Sequence, residues 1–306
     1  MIIFFIVVSN LKNNFLHFSL LFIQPIFMTS NIAIGKGALG FIPPISLAFW
    51  RWFVVFLFML PFVFKEIKQK RDCIKSELPN LAILGFTGFS ICGAFPYISG
   101  FTTTVTNMSI IYALAPIIIV LLSSVYFKER LKLIQHFGIW ISFGGVAFVI
   151  FKADIENLLS LVFTYGDLWM LISATSWAVF SINLIHRKSQ FSILARFTLM
   201  SFMGAIFLLP FLIVENIYFI PTTYDLGFLF FVLLAAVFPG VIAFTMYTKL
   251  QQLIGASLAG LTVYLMPIYG SIYGMILFGE KLEVYHFYGA MLVLVGIYLA
   301  NKKYSK

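Results

Sequence analysis

The sequence predicts an all-α polytopic membrane protein, with ten transmembrane helices in two inverted five-helix repeats. Three observations point there. The 306 residues are 61% hydrophobic and only 10% charged, where a soluble domain carries about 25% charged residues. So few charges cannot cover a water-facing surface. Ten windows are mostly apolar over roughly the 20 residues that a spanning helix needs. Residue types in the two halves also recur in phase at an offset of 151 positions.

In chain order the windows are 18–38, 45–64, 79–100, 104–127, 133–151, 168–186, 192–214, 226–247, 255–278 and 284–301. The first is the weakest, because it contains Gln24, Pro25, Asn31 and Lys36. The break between the third and fourth rests on Gly100 and the run Thr102, Thr103, Thr104. Most gaps are short, which favours antiparallel neighbours in a compact bundle. The opening MIIFFIVVS is apolar but brief and is followed by Lys12. With no basic region before it and no small-residue cleavage site after it, it does not read as a cleaved signal peptide.

The in-phase pairs are Pro116 with Pro267, Phe127 with Phe278, Glu129 with Glu280, Leu131 with Leu282, Gly138 with Gly289, Gly145 with Gly296, and Lys36 with Arg187. Five spans per half is an odd number, so the second half enters the membrane in the opposite sense. Inverted halves of this kind can open a central site alternately to each side. The chain accordingly divides into a short N-terminal segment (1–17), a first repeat (18–151), an external connecting loop (152–167), a second repeat (168–301) and a basic cytoplasmic tail (302–306).

Charge placement gives the orientation. Fifteen basic residues fall on one side: Lys12, Lys65, Lys68, Lys70, Arg71, Lys75, Lys128, Arg130, Lys132, Arg187, Lys188, Lys249, Lys302, Lys303 and Lys306. Lys36, Arg51, Lys152 and Lys281 lie near the other, and Arg196 sits just inside a window. The positive-inside rule makes the first side cytoplasmic and puts both termini there. Taken singly, each loop charge, acidic ones included, reads as solvated headgroup-facing surface. The formal net charge of +9 is therefore no sign of nucleic-acid binding. Cys73 and Cys92 have no metal spacing and form no disulfide framework. No HExxH pattern, Walker motif or paired intramembrane carboxylates occur, and the histidines His17, His136, His186 and His286 lie near span ends or loops. The chain reads as neither an enzyme nor a cofactor or metal protein.

The run TTTVTNMSIIYALAPIIIVLLSSVYFKERL, with polar residues early, a mid-span Pro and a terminal acid-base-Leu, resembles the fourth-span signature of the EamA-type carriers of the drug/metabolite transporter superfamily. GASLAGLTVYLMPIYGSIYGMILFGEKL is similar to a second copy, NIAIGKGALG to the first-span ending, and GIWISFGGV and GAMLVLVGIYLA to the fifth and tenth spans. The resemblance covers roughly residues 18–301. It departs at Lys128, where the family often has Gly, and in a tryptophan-rich opening of the sixth span reduced to Trp169 and Trp177. What the resemblance implies is a ten-span, multi-pass carrier in the bacterial inner (cytoplasmic) membrane. Family members export amino acids or other metabolites, or take up particular ones.

Polar groups inside spans mark candidate sites, since lipid tolerates them only where they face protein or water. Candidates for a substrate cavity are Asn31, Asn107, Tyr112, Trp177, Asn183, Tyr247, Tyr264 and Tyr269. Asn107 can donate and accept, as an amino acid substrate requires, or it can bond a neighbouring helix. The aromatic rings offer apolar area with a polar handle. Pro116 and Pro267 remove helix hydrogen bonds and can kink or locally unwind their spans. Lys36 can snorkel to the interface or act in a site. Arg51, between Trp50 and Trp52, reads first as an interfacial anchor and second as an attractor of a substrate carboxylate. Glu129 and Glu280, repeated at span ends, suggest an architectural role. Gly270 and Gly274 form a GxxxG pair for close helix contact, internal or between subunits.

The expected function is a secondary transporter moving a small organic metabolite by alternating access, with export of amino acids or related metabolites in first place. Uptake on the same fold is the alternative, and a non-transporting structural or regulatory membrane protein is a further one. The expected partners are the metabolite and the lipid bilayer. Coupling to protons or another ion, and a homodimer, stay open.

Overall fold

The computed structural model of the chain describes residues 15–126, 133–154, 156, 163–254 and 260–300, and among them every regular element is helical. The helices are α1 (Phe15–Gly37), α2 (Pro44–Gln69), α3 (Arg71–Ser99), α4 (Val105–Tyr126), α5 (Leu133–Ile150), α6 (Tyr165–His186), α7 (Ile193–Phe219), α8 (226–254), α9 (260–278) and α10 (Val284–Ala300). Phe127, Glu129 and Leu131, which the sequence pairing singled out, lie outside the described residues.

Six of these, α2, α3, α4, α5, α7 and α8, are long and apolar enough to cross a membrane, and the described parts of α9 and α10 are shorter apolar helices. Rings such as Phe62, Trp140 and Phe287 stand outward, each about 70% exposed, the orientation that lipid favours. This is a polytopic membrane protein. α1 and α6, of 23 and 22 residues, are long apolar helices as well. Both helices carry polar residues that turn inward: Gln24 and Thr29 on α1, Ser173 and Ser176 on α6 are all buried. Neighbouring helices shield them, since α1 lies against α8 and α9, and α6 against α3 and α4.

Large contacts also join α2 with α7, α5 with α10, α3 with α7 and α4 with α9. The second depends on glycines. A Cβ on Gly145 would sit 2.8 Å from the Gly289 carbonyl oxygen, and one on Gly296 would collide with Gly138 and Ser142. The Gly270/Gly274 pair serves an internal contact of the same kind, with Gly270 facing Ser109, and Gly274 facing Thr106 and Glu280.

Several helices are interrupted, at matching places. A π-helical turn occupies Gly85–Ile91 in α3, and another occupies Ala236–Ile242 in α8, beginning 151 positions later. In α4 the helix breaks at Ala113 and Leu114, and α-geometry resumes at Ala115, so Pro116 falls near the start of a new segment. In α9 a 3₁₀ stretch, Gly260–Leu265, precedes the α segment Met266–Phe278, with Pro267 again near its start. Proline is tolerated there because the first turn of a helix has no use for its missing N–H.

The carboxylates correct the expectation of solvated surface charge. Glu77, Asp167 and Glu215 are 7%, 2% and 6% exposed. Each is held by the free N–H and hydroxyl groups at a chain turn or helix start, where a negative charge is stabilised. Glu215, at the end of α7, accepts from Ile45 N (2.9 Å), Ser46 N (2.7 Å) and Ser46 Oγ (2.8 Å) at the start of α2. Glu66, near the end of α2, accepts from Ser192 N (2.7 Å) and Ser192 Oγ (2.6 Å) at the start of α7. The two antiparallel helices thus cap one another. Asp167 closes a capping box with Thr164 at the start of α6.

Candidate functional site

A cavity of about 470 Å³ lies between the two halves of the chain. The interrupted helices build part of its wall: Gly88 and Phe89 come from the π turn of α3, and Pro239 from that of α8. Aromatic rings supply much of the rest, with Trp52, Phe89 and Phe197 in mutual contact and Trp177 against Phe180. Ser189 and Phe191 carry the wall to the turn between α6 and α7.

At the other end stands Arg51. It is 4% exposed, so it is not the headgroup-level anchor that its tryptophan neighbours suggested. Its Nη1 donates to Asn31 Oδ1 and, at 2.9 Å, to the Tyr97 hydroxyl, and that hydroxyl donates to Asn31 Oδ1 at 2.7 Å. The guanidinium also lies 4.1 Å from the Trp52 ring centre, a cation–π distance. Tyr97 reaches this point because Gly35 has no side chain to block its ring. Among the described residues, the Arg51 Nε and the Trp52 Nε1 have no hydrogen-bond partner.

Beyond Arg51 a second polar cluster joins four helices. Lys36 Nζ donates to the Thr103 carbonyl at 2.6 Å and lies 3.7 Å from Glu280 Oε1, so Lys36 is tied into the protein rather than snorkelling. Glu280 accepts from Val105 N (2.7 Å), Thr106 N (3.1 Å) and Thr106 Oγ1 (2.8 Å), capping α4. It reaches them because Gly279 ends α9 in the left-handed region, at φ +63°, which costs glycine little and other residues more. Thr103 Oγ1 in turn donates to Asp167 at 2.6 Å.

Of the residues singled out from sequence, Asn31, Arg51, Tyr112, Trp177 and Tyr247 come together on the cavity wall. The other cavity candidates lie elsewhere. Asn107 Oδ1 pairs with His286 Nε2 at 3.1 Å, joining α4 to α10. Asn183 Nδ2 donates to the Val179 carbonyl within its own helix. The Tyr269 hydroxyl donates to Phe22 O at 3.0 Å, tying α9 to α1, and Tyr264 packs against the core formed by α1, α4, α5, α6, α9 and α10. Gln24, Trp52, Tyr97 and Arg196 were not on the sequence list. Gln24 and Arg196 had a usable signal, a polar or charged group within an apolar window. Tyr97 had none, because it is one of 14 tyrosines in the chain.

The profile of the EamA-like transporter family matches residues 16–151 and again residues 164–302. The chain belongs to the EamA-like transporter family. Among similar proteins, an uncharacterized transporter of Archaeoglobus fulgidus is 26% identical over 277 residues, covering 88% of this chain and 91% of the relative. A second from that organism is 28% identical, covering 88% and 92%. The uncharacterized transporter YyaM of Bacillus subtilis is 23% identical, covering 90% of each chain. A protein crystal structure superposes with a TM-score of 0.60 at 16% identity, over 91% of this chain and 94% of the other, which speaks to fold alone. This EamA-like chain is a membrane transporter and not an enzyme, and a small-molecule substrate and a lipid bilayer follow from membership.

Proposed function

We propose that this EamA-like protein is a secondary carrier that moves a small organic metabolite across the cytoplasmic membrane by alternating access, in the direction of export and with amino acids or related metabolites as cargo. The observation that carries this is the aromatic-walled cavity between the halves, with a polar cluster built around Arg51 at its inner end. A cavity with an apolar lining and a few convergent polar groups is the form that small-molecule sites take.

The inverted ten-span arrangement is supported by features that exchange when the halves are exchanged. The π turns, the proline-led segments and the Gly145–Gly289 and Gly138–Gly296 approaches all recur at the same offset. The mutual caps of α2 and α7 have the same reciprocity. Two-fold exchange of this kind provides two states of similar energy, which alternating access requires. The cavity reaches the α6–α7 turn, which bears Arg187 and Lys188 on the basic and hence cytoplasmic side. The Lys36–Glu280–Thr103–Asp167 cluster closes the opposite end, so the arrangement corresponds to an inward-facing state. Outward opening then has to part Lys36 from Glu280, with Pro116 and Pro267 as bending points.

Transport by purified protein in liposomes tests this. Vesicles loaded with a metabolite extract should exchange at least one labelled component faster than protein-free vesicles. Equal rates for every component would overturn the proposal.

A further inference from the structure

The wall of the cavity is electrically one-sided. Among the described residues that line it are two arginines, Arg51 and Arg196, and no aspartate or glutamate. They are not equivalent. Arg196, at the mouth, has the Glu77 carboxylate as an electrostatic neighbour and donates to the Leu184 and Arg187 carbonyls. Arg51, at the inner end, makes no ion pair among the described residues, and its hydrogen bonds go only to the neutral oxygens of Asn31 and Tyr97. A buried cation left without an anion is costly, and native structures normally supply one.

The acceptors bonded to Arg51 are already engaged. Asn31 Oδ1 takes two hydrogen bonds, from Arg51 and from Tyr97. Among the described residues, the buried side-chain acceptor on the wall with no partner is Gln24 Oε1. Gln24 precedes Asn31 by seven positions on α1, about 10 Å along a helix axis. In an α-amino acid the ammonium nitrogen is only two bonds from the carboxylate carbon. A carboxylate seated on Arg51 would therefore bring that ammonium against a guanidinium and away from Gln24.

We propose that the cavity takes a monoanionic organic acid, its carboxylate on Arg51 and its apolar or aromatic body against Trp52, Phe89, Trp177 and Phe244, and that it rejects the α-amino acid of the same body. This rests on the carrier reading above and narrows its cargo to related metabolites that lack the ammonium group. Arginine suits the task because its planar fork can meet both carboxylate oxygens. Rejection arises from the unmatched ammonium charge rather than from size.

Three probes share one ring and differ in charge at neutral pH: 3-phenylpropanoate, phenylalanine and phenethylamine. Binding to the purified full-length protein is read by thermal shift, and flux by exchange in liposomes. 3-Phenylpropanoate should bind about tenfold more tightly than either of the others. Arg51→Gln should erase that preference, and Arg51→Lys should keep part of it. If Arg51→Gln does not fold, the wild-type ratio alone decides. Equal or stronger binding of phenylalanine or phenethylamine overturns the assignment. So does failure to bind 3-phenylpropanoate while components of a metabolite extract are still exchanged, an outcome that leaves the carrier reading standing. No exchange of any component overturns both.

Discussion

Arg51, Asn31 and Tyr97 form a triangle in which each side chain holds the other two. Tyr97→Phe removes one hydroxyl that both donates and accepts, while the ring still fills the space beside Gly35. Transport per folded molecule should fall about fivefold to tenfold, the effect of losing about 1–1.5 kcal/mol of positioning, with little change in thermal stability. A large loss of stability at an unchanged rate would show the hydroxyl to be structural only. Asn107 is the converse case. It faces His286 and not the cavity, so Asn107→Ala should cost about 1–3 kcal/mol of stability by leaving a buried ring nitrogen unpaired. The rate per folded molecule should be kept. A lower rate with the melting temperature intact would return Asn107 to the substrate path.

Between elements, the main devices are acid caps on helix starts. Glu215 and Glu66 perform the same task at opposite ends of the α2–α7 pair, but in different surroundings. Glu215 is 6% exposed, whereas the Glu66 side chain is 24% exposed and shares its charge with Lys70 at 2.9 Å. Glu215→Ala leaves buried N–H groups that water cannot reach, while Glu66→Ala leaves groups that it can. The first should cost about 1–3 kcal/mol and the second under about 1 kcal/mol, measured as thermal unfolding in detergent. Equal losses would contradict the difference in burial. The charge pattern gave no hint of this division, because a carboxylate at a span end looks the same in sequence whether water or a helix start receives it.

Across the whole molecule, the scheme depends on two halves of opposite sense. Single cysteines placed at Lys70 and Asp154, in a background lacking Cys73 and Cys92, should label from opposite sides of the membrane. Labelling of both from one side would refute the inverted arrangement and, with it, the assignment of an inward-facing cavity. The Pro116 and Pro267 spacing and the Gly138, Gly145, Gly289 and Gly296 spacing are legible in the sequence, since repetition is a property of the string. Which glycine meets which was not legible, because that depends on how α5 and α10 cross.

The sequence by itself determined that this chain lives in a membrane, that its structure is helical and that it belongs among EamA-like carriers. Composition and periodicity act residue by residue, and so survive in one dimension. Only the tertiary structure decided that Arg51 is buried beside Tyr97, that Asn107 serves a helix contact, and that the loop carboxylates are caps. Those outcomes depend on groups 46, 179 and 170 positions apart in the chain. Whether a polar side chain in a span meets water, substrate or another helix is fixed by what packs against it, and no local pattern records that.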